Sequence, residues 1–226
     1  MKWTRSALLI ARKDLAIELR TKESLNAAAA FAIVVLLLFS FAFDPAAAET
    51  REFSGGLLWL ALAFAGALVF NRGFSRELPN ECLDALLSSP IAPSALVIGK
   101  AIGIFVILAV IENLSLFVFG IFYDLRWWLR PVELTAVCVL ATWGIAIVGA
   151  VFGALTLNLR LRDLMLPVIV YPLLIPLLLA AIEVTNTLLA NQPLSADDLL
   201  WLRVLVVFDI VFTALAVLLA DTILVN

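Results

Sequence analysis

The stretch NRGFSRELPNECLDALLSSPIAPSALVIGK, residues 71–100, separates two apolar runs that are each long enough to enter a bilayer. It is too long for a tight turn, and its pattern is not that of a slack linker. Across residues 80–87, Leu83, Leu86 and Leu87 share one face at helical spacing, while Glu77, Glu81 and Asp84 share another. Pro79 suits a first helical position, the acids suit a helix N-terminus, and Pro90 with Pro93 stops the helix. The spacing predicts a short helix with one apolar and one acidic face, set between two membrane segments.

Lipid is a poor partner for such a helix. Surface-lying helices carry Lys and Arg on the polar side because the cytoplasmic leaflet is negative. Between Glu77 and Ser89 there are three acids and no base. A groove on another protein fits better, with leucines as anchors and acids at the rim. A solvated connector is the alternative.

The surroundings are those of a polytopic membrane protein. Of 226 residues, 64% are hydrophobic and 15% charged, against roughly 45–50% and about 25% in soluble domains. The mean hydropathy is +1.12. Six apolar runs approach the length of about 20 residues that spans the hydrocarbon: 27–43, 55–74, 101–122, 134–157, 164–182 and 199–220. All lie in one transmembrane domain covering 1–226, with 75–100 as a cytoplasmic loop. Residues 46–48 (AAA) resemble a signal-peptide cleavage site. The preceding apolar core is too long for a signal peptide, and Asp14, Glu18 and Glu23 precede it, so a retained helix is expected.

Basic residues set the orientation. With the N-terminus in the cytoplasm, inner segments hold 11 Lys and Arg and outer segments hold four, namely Arg51, Arg126, Arg130 and Arg203. Both termini and the amphipathic loop are then cytoplasmic. The outer segment 183–200 has three acids and no base. Residues 1–24 form a second distinct piece. Leu8, Ala11, Leu15 and Leu19 share a face, Trp3 supplies an interfacial ring, and Arg5, Arg12, Lys13, Arg20 and Lys22 surround them. An interfacial helix on lipid is expected. Trp127 and Trp128 look like an outer aromatic belt. Pro167, Pro172 and Pro176 should kink or break the fifth crossing.

Few ionisable groups fall inside the bilayer: Glu112, beside Asn113, and Asp209. Such carboxylates line paths, meet other subunits or hydrogen-bond to neighbouring helices. The sequence has no His, which excludes His-dependent triads, His–metal sites and His ligation of haem. Cys82 and Cys138 form no CxxC pair, so neither a disulfide framework nor a metal site is indicated. No GxxxxGK[ST] or GxGxxG occurs, so any nucleotide chemistry belongs to another polypeptide. No bound cofactor, enzyme activity or nucleic-acid role is read from this chain.

Nearly end to end, the chain resembles the CcmB (haem exporter protein B) family, permeases of the ABC-type complex in cytochrome c maturation. The resemblance is carried by RKDLAIELRTKE (12–23), by NRGFSRELPNECLDALLSSP followed by GK (71–100), and by MLPVIVYPLLIPLL (165–178). It implies an all-α, ABC-2-like exporter permease with six transmembrane helices, an N-terminal elbow helix and a coupling helix between crossings 2 and 3. Arg12, Lys13, Asp14, Glu18, Arg20, Lys22 and Glu23 would belong to the elbow. Asn71, Arg72, Glu77, Leu83, Leu86, Pro90 and Lys100 would belong to the loop that meets a soluble ABC ATPase subunit, and Glu81, Asp84 and Leu87 share that loop. Other implied partners are a haem-handling membrane subunit, a small single-helix subunit and a periplasmic haem chaperone. Haem would be cargo and ATP would be bound by the partner, in the bacterial inner membrane. The competitors are an ABC-2 exporter permease for a drug, lipid or polysaccharide, a non-transporting assembly scaffold, and an integral-membrane enzyme.

Overall fold

The computed structural model describes residues 2–43, 50, 53–75, 91–123, 129–156 and 162–225. Glu77, Glu81, Leu83, Asp84, Leu86 and Leu87, with Pro90, lie outside the described residues. The described residues form seven helices and no strands. These are α1 (Lys2–Thr21), α2 (Glu23–Ala42), α3 (Ser54–Ser75), α4 (Pro93–Phe122), α5 (Pro131–Leu155), α6 (Arg162–Leu189) and α7 (Ala196–Val225). All but α1 are long and apolar enough to cross a membrane.

Helix boundaries follow local chemistry. Pro93 opens α4, because a proline lacks the N–H that a first helical residue leaves unused; the loop helix it was expected to stop lies outside the described residues. The third crossing thus begins two turns before residue 101. Pro131 starts α5 in the same way. The fifth crossing is not broken: α6 is one helix through Pro167, Pro172 and Pro176. Each ring already has a helical φ, and each proline costs one backbone bond that packing against α3, α5 and α7 offsets. That helix runs past residue 182 to Leu189, where Asn191 takes φ 57° and ends it, as Asn does in left-handed caps. Ser195 and Asp198 then form a capping box for α7, with Ser195 N–H donating to Asp198 Oδ2 at 2.7 Å and Asp198 N–H to Ser195 Oγ at 3.2 Å. Segment 183–200 is therefore mostly helix, leaving only a short turn between α6 and α7.

Helices α4 and α5 form the centre. Helix α5 packs on α3, α4, α6 and α7, and α4 packs on α1, α2, α3, α5 and α7. Helices α2 and α7 lie at the edge and expose most of their apolar side chains. In lipid no hydrophobic force drives helices together, so small residues that allow close approach carry much of the packing. Accordingly Ala61, Ala65, Ala101, Ala141, Ala146, Ala150, Ala180 and Ala181 are all buried.

The closest protein seat for α1 is Gly99. A Cβ there would lie 2.7 Å from the Ala7 carbonyl oxygen and 2.8 Å from Ile10 Cβ. Gly103, one turn on, faces Asp14. This G-x-x-x-G spacing makes a flat track on α4. Contacts advance together along both helices: Trp3 Nε1 donates to Ser94 Oγ at 2.9 Å, Ala7 and Ile10 meet Gly99, and Asp14 meets Lys100 and Gly103. Helix α1 therefore runs alongside the first three turns of α4, in the same direction. Its buried face is Ala7, Ile10, Ala11 and Glu18, while Leu8 and Leu19 of the expected lipid stripe are exposed. The helix is two-faced, and lipid is not its sole partner.

Gly99→Leu should destabilise the protein by about 1–3 kcal/mol, the usual penalty of overpacking. Gly73→Ala, whose Cβ would meet nothing closer than 3.6 Å, should be near neutral. Thermal unfolding in detergent checks both.

Candidate functional site

The described ends of the 71–100 stretch converge with the N-terminal helix on one polar junction. Lys100 lies in the second turn of α4 and is 2% exposed. Its Nζ sits 3.0 Å from Asp14 Oδ2 on α1 and donates to the Gly73 carbonyl oxygen on α3 at 2.8 Å. One ammonium thus joins three helices. This corrects the expectation that Lys100 lies on the partner-facing loop: its charge points inward and is consumed within the chain.

The same junction fixes the turn between α1 and α2. Lys22 alone separates the two helices, at φ 52°. Its N–H donates to the Glu18 carbonyl oxygen at 2.6 Å. Glu18, 3% exposed, accepts the Leu25 N–H at 2.8 Å and so caps the first turn of α2. Glu23 forms an ion pair with Arg72 near the end of α3. That pair is largely exposed and contributes about 0–1 kcal/mol. Lys13 pairs with its neighbour Asp14 at 3.2 Å. Arg12 and Arg20 lie on the exposed side of α1, and Asn71 is half-buried at the end of α3. A cavity of about 30 Å³ lies among Asp14, Glu18, Ser24, Arg72, Gly73 and Lys100. The end of α1, the start of α2, the end of α3 and the second turn of α4 therefore meet at one junction.

A second polar set lies within the crossings. Successive residues Thr142, Trp143 and Gly144 of α5 meet the polar groups of two neighbours. Thr142 Oγ1 donates to Glu112 Oε2 on α4 at 2.7 Å. Trp143 Nε1 donates to Thr213 Oγ1 on α7 at 3.1 Å. A Cβ on Gly144 would lie 2.8 Å from Asp209 Oδ1, so glycine makes room for that carboxyl. Glu112 is 2% and Asp209 8% exposed, and Glu112 Oε1 and Asp209 Oδ1 accept no hydrogen bond. Asn113 is exposed and donates to Ala109 O in its own helix at 2.7 Å.

Sequence reading missed the link between Lys100 and Asp14. The available signal is the GKAIG at 99–103, where two glycines one turn apart flank a lysine that cannot stay buried without an acid. Trp59, whose Nε1 donates to the Thr185 hydroxyl at 3.0 Å, was equally silent.

Six membrane-length helices with an amphipathic helix locked beside them define a multi-pass helical membrane protein. The family model described as CcmB protein matches residues 5–224, and the chain belongs to that family. It is 28% identical over 211 residues to heme exporter protein B of Pseudomonas aeruginosa, covering 93% of each chain. It is 29% identical over 177 residues to heme exporter protein B of Paracoccus denitrificans, covering 78% of this chain and 80% of the relative.

Asp14→Ala removes the carboxylate that faces a buried ammonium and should cost about 3–5 kcal/mol, whereas the double change Asp14→Leu with Lys100→Met should recover most of it. A double-mutant cycle on unfolding in detergent checks this, and equal losses in the single and double variants would contradict it.

Proposed function

We propose that this chain is the permease subunit of an ABC-type haem exporter for cytochrome c maturation, coupled to ATP hydrolysis by a separate soluble subunit. The observation that carries the reading is the junction just described. The segment expected to dock the ATPase, 80–87, lies in sequence between α3, whose last turn carries Arg72 and Gly73, and α4, whose second turn carries Lys100. Arg72 is paired with Glu23, and Lys100 with Asp14 and the Gly73 carbonyl oxygen. A displacement of the loop by a partner is thereby carried to the elbow and to α2, α3 and α4 together, rather than absorbed in a hinge.

The names of the curated relatives support haem as the cargo of the complex. The absence of His in the chain argues against its being the site of haem-iron ligation, a role this reading gives to another subunit. The motion of the crossings then alters how a haem-handling membrane subunit holds its cargo and releases the loaded periplasmic chaperone. On this reading α1 lies at the cytoplasmic face of the inner membrane and both termini are cytoplasmic. Leu83, Leu86 and Leu87 anchor the loop helix in the ATPase groove, with Glu77, Glu81 and Asp84 at its rim. The chain itself performs no catalysis.

Leu83→Ala with Leu86→Ala should lower co-purification of the ABC ATPase at least tenfold while membrane insertion is unchanged. Wild-type recovery of the ATPase with the double variant would overturn the docking assignment.

A further inference from the structure

The neighbours of α1 fix its depth. Helix α2 has 20 residues and is about 30 Å long, the thickness of the hydrocarbon core. Lys22 alone joins α1 to it, so α1 ends where that crossing starts. Helix α4 has 30 residues and is about 45 Å long, which leaves about 15 Å beyond the core. The overhang falls at its N-terminal end, because Tyr123 at the other end donates its O–H to the Leu36 carbonyl oxygen, inside α2, at 3.2 Å. Those overhanging first turns of α4 are the ones that α1 covers. Helix α1 therefore lies at the level of the headgroups.

Packing sorts the charges of this helix. Its acids are engaged on the inner side, where Asp14 faces Lys100 and Glu18 caps α2. Its arginines are outside: Arg5, Arg12 and Arg20 are exposed, and among the described residues no acid pairs with them. The expected apolar stripe is divided too, since Ala11 is buried and Leu15 half-buried. What remains outward is mixed. Arg5, Leu8, Leu9 and Arg12 follow at i, i+3, i+4 and i+7, and Leu19 continues the line. The three leucines are 60, 55 and 67% exposed. A groove on a soluble protein takes apolar anchors at all of those positions. Guanidinium groups at the first and fourth would be buried there without counter-charge. A headgroup layer receives both kinds, because leucines dip toward the acyl chains while arginines turn their charge to the phosphates.

We propose that the outward face of α1 is a binding surface selective for anionic phospholipid headgroups, with Arg5 and Arg12 contacting phosphate and Arg20, beside the Lys22 turn, as a third contact. Selectivity follows from the sorting of charge. A zwitterionic headgroup carries its own cation beside the phosphate, whereas a headgroup of net negative charge leaves its phosphate to the arginines. With Asp14 and Glu18 turned inward, the face has no acid of its own to repel that charge. The inference needs only the membrane setting that the six crossings define, and it stands apart from the ATPase and haem readings.

The test uses the full chain in nanodiscs of phosphatidylcholine doped with brominated phosphatidylglycerol or, at equal mole fraction, brominated phosphatidylcholine. A fluorophore is attached at Leu9→Cys in a Cys82→Ser background, Cys138 being buried. A second sample carries it at Leu218→Cys, on the exposed side of α7. Quenching at position 9 should be at least about threefold stronger with the glycerol lipid, and equal for the two lipids at position 218. The preference should vanish with Arg5→Gln and Arg12→Gln together, return with Lys at both positions, and survive excess inorganic phosphate. In the unlabelled chain, phosphatidylglycerol should raise the thermal unfolding midpoint in detergent more than phosphatidylcholine does, and the Gln variant should lose that difference. Equal quenching by both lipids at position 9 would overturn the proposal. So would quenching by neither, as under a protein partner, or a preference that outlasts the Gln substitutions or yields to free phosphate.

Discussion

An ammonium enclosed by helices needs a counter-charge, and the packing at one end of this protein is arranged around that need. Lys100 is held by Asp14 from α1 and by a carbonyl oxygen from α3. For the carboxylate to come within 3.0 Å, α1 must lie directly on α4, and Gly99 and Gly103 remove the side chains that would prevent it. Replacing such a pair by apolar residues is often neutral for stability. The pair therefore matters mainly for register: it fixes which turn of α1 faces which turn of α4, and where α3 ends relative to both.

The interior of the bundle is tied differently. Helix α5 is surrounded by α3, α4, α6 and α7, and three successive residues at its middle engage α4 and α7 through a hydroxyl, an indole and a space. Buried polar contacts of this sort contribute only about 0.6 kcal/mol each on average in membrane proteins. Their value lies in choosing one rotation of each helix about its axis, since a turn of one residue would leave Glu112 and Thr213 facing hydrocarbon.

The crossings are legible in the sequence because each is a long apolar run with few charges, a signal that hardly depends on tertiary context. Their ends are less so. Residue 101 looks like the start of the third crossing because Lys100 reads as a boundary, and only the presence of Asp14 some 86 positions earlier allows the helix to carry a lysine inside. The prolines of α6 pointed to a kink or a break, and the helix is continuous through them: their local cost is visible in sequence, and the neighbours that offset it are not. Glu112 and Asp209 stand out as isolated acids, but that Thr142 and Gly144 receive them depends on helix pairing that no single stretch encodes.

The two faces of α1 have a consequence for the order of biosynthesis. The part of its protein-facing side formed by Ala7, Ile10 and Asp14 is completed by residues near Gly99 and Gly103, which follow it by about 90 positions. At translation rates of about 5–20 residues per second, that interval is roughly 4–18 seconds. During it the growing chain has no α4 on which to place the helix. On the reading that α1 lies along the bilayer surface, exposed Leu8, Leu9 and Leu19 supply a temporary berth there. Asp14 stays in water until the third crossing arrives with Lys100. The outward leucines then serve the nascent chain as a waiting position, and the inward acids serve the finished one.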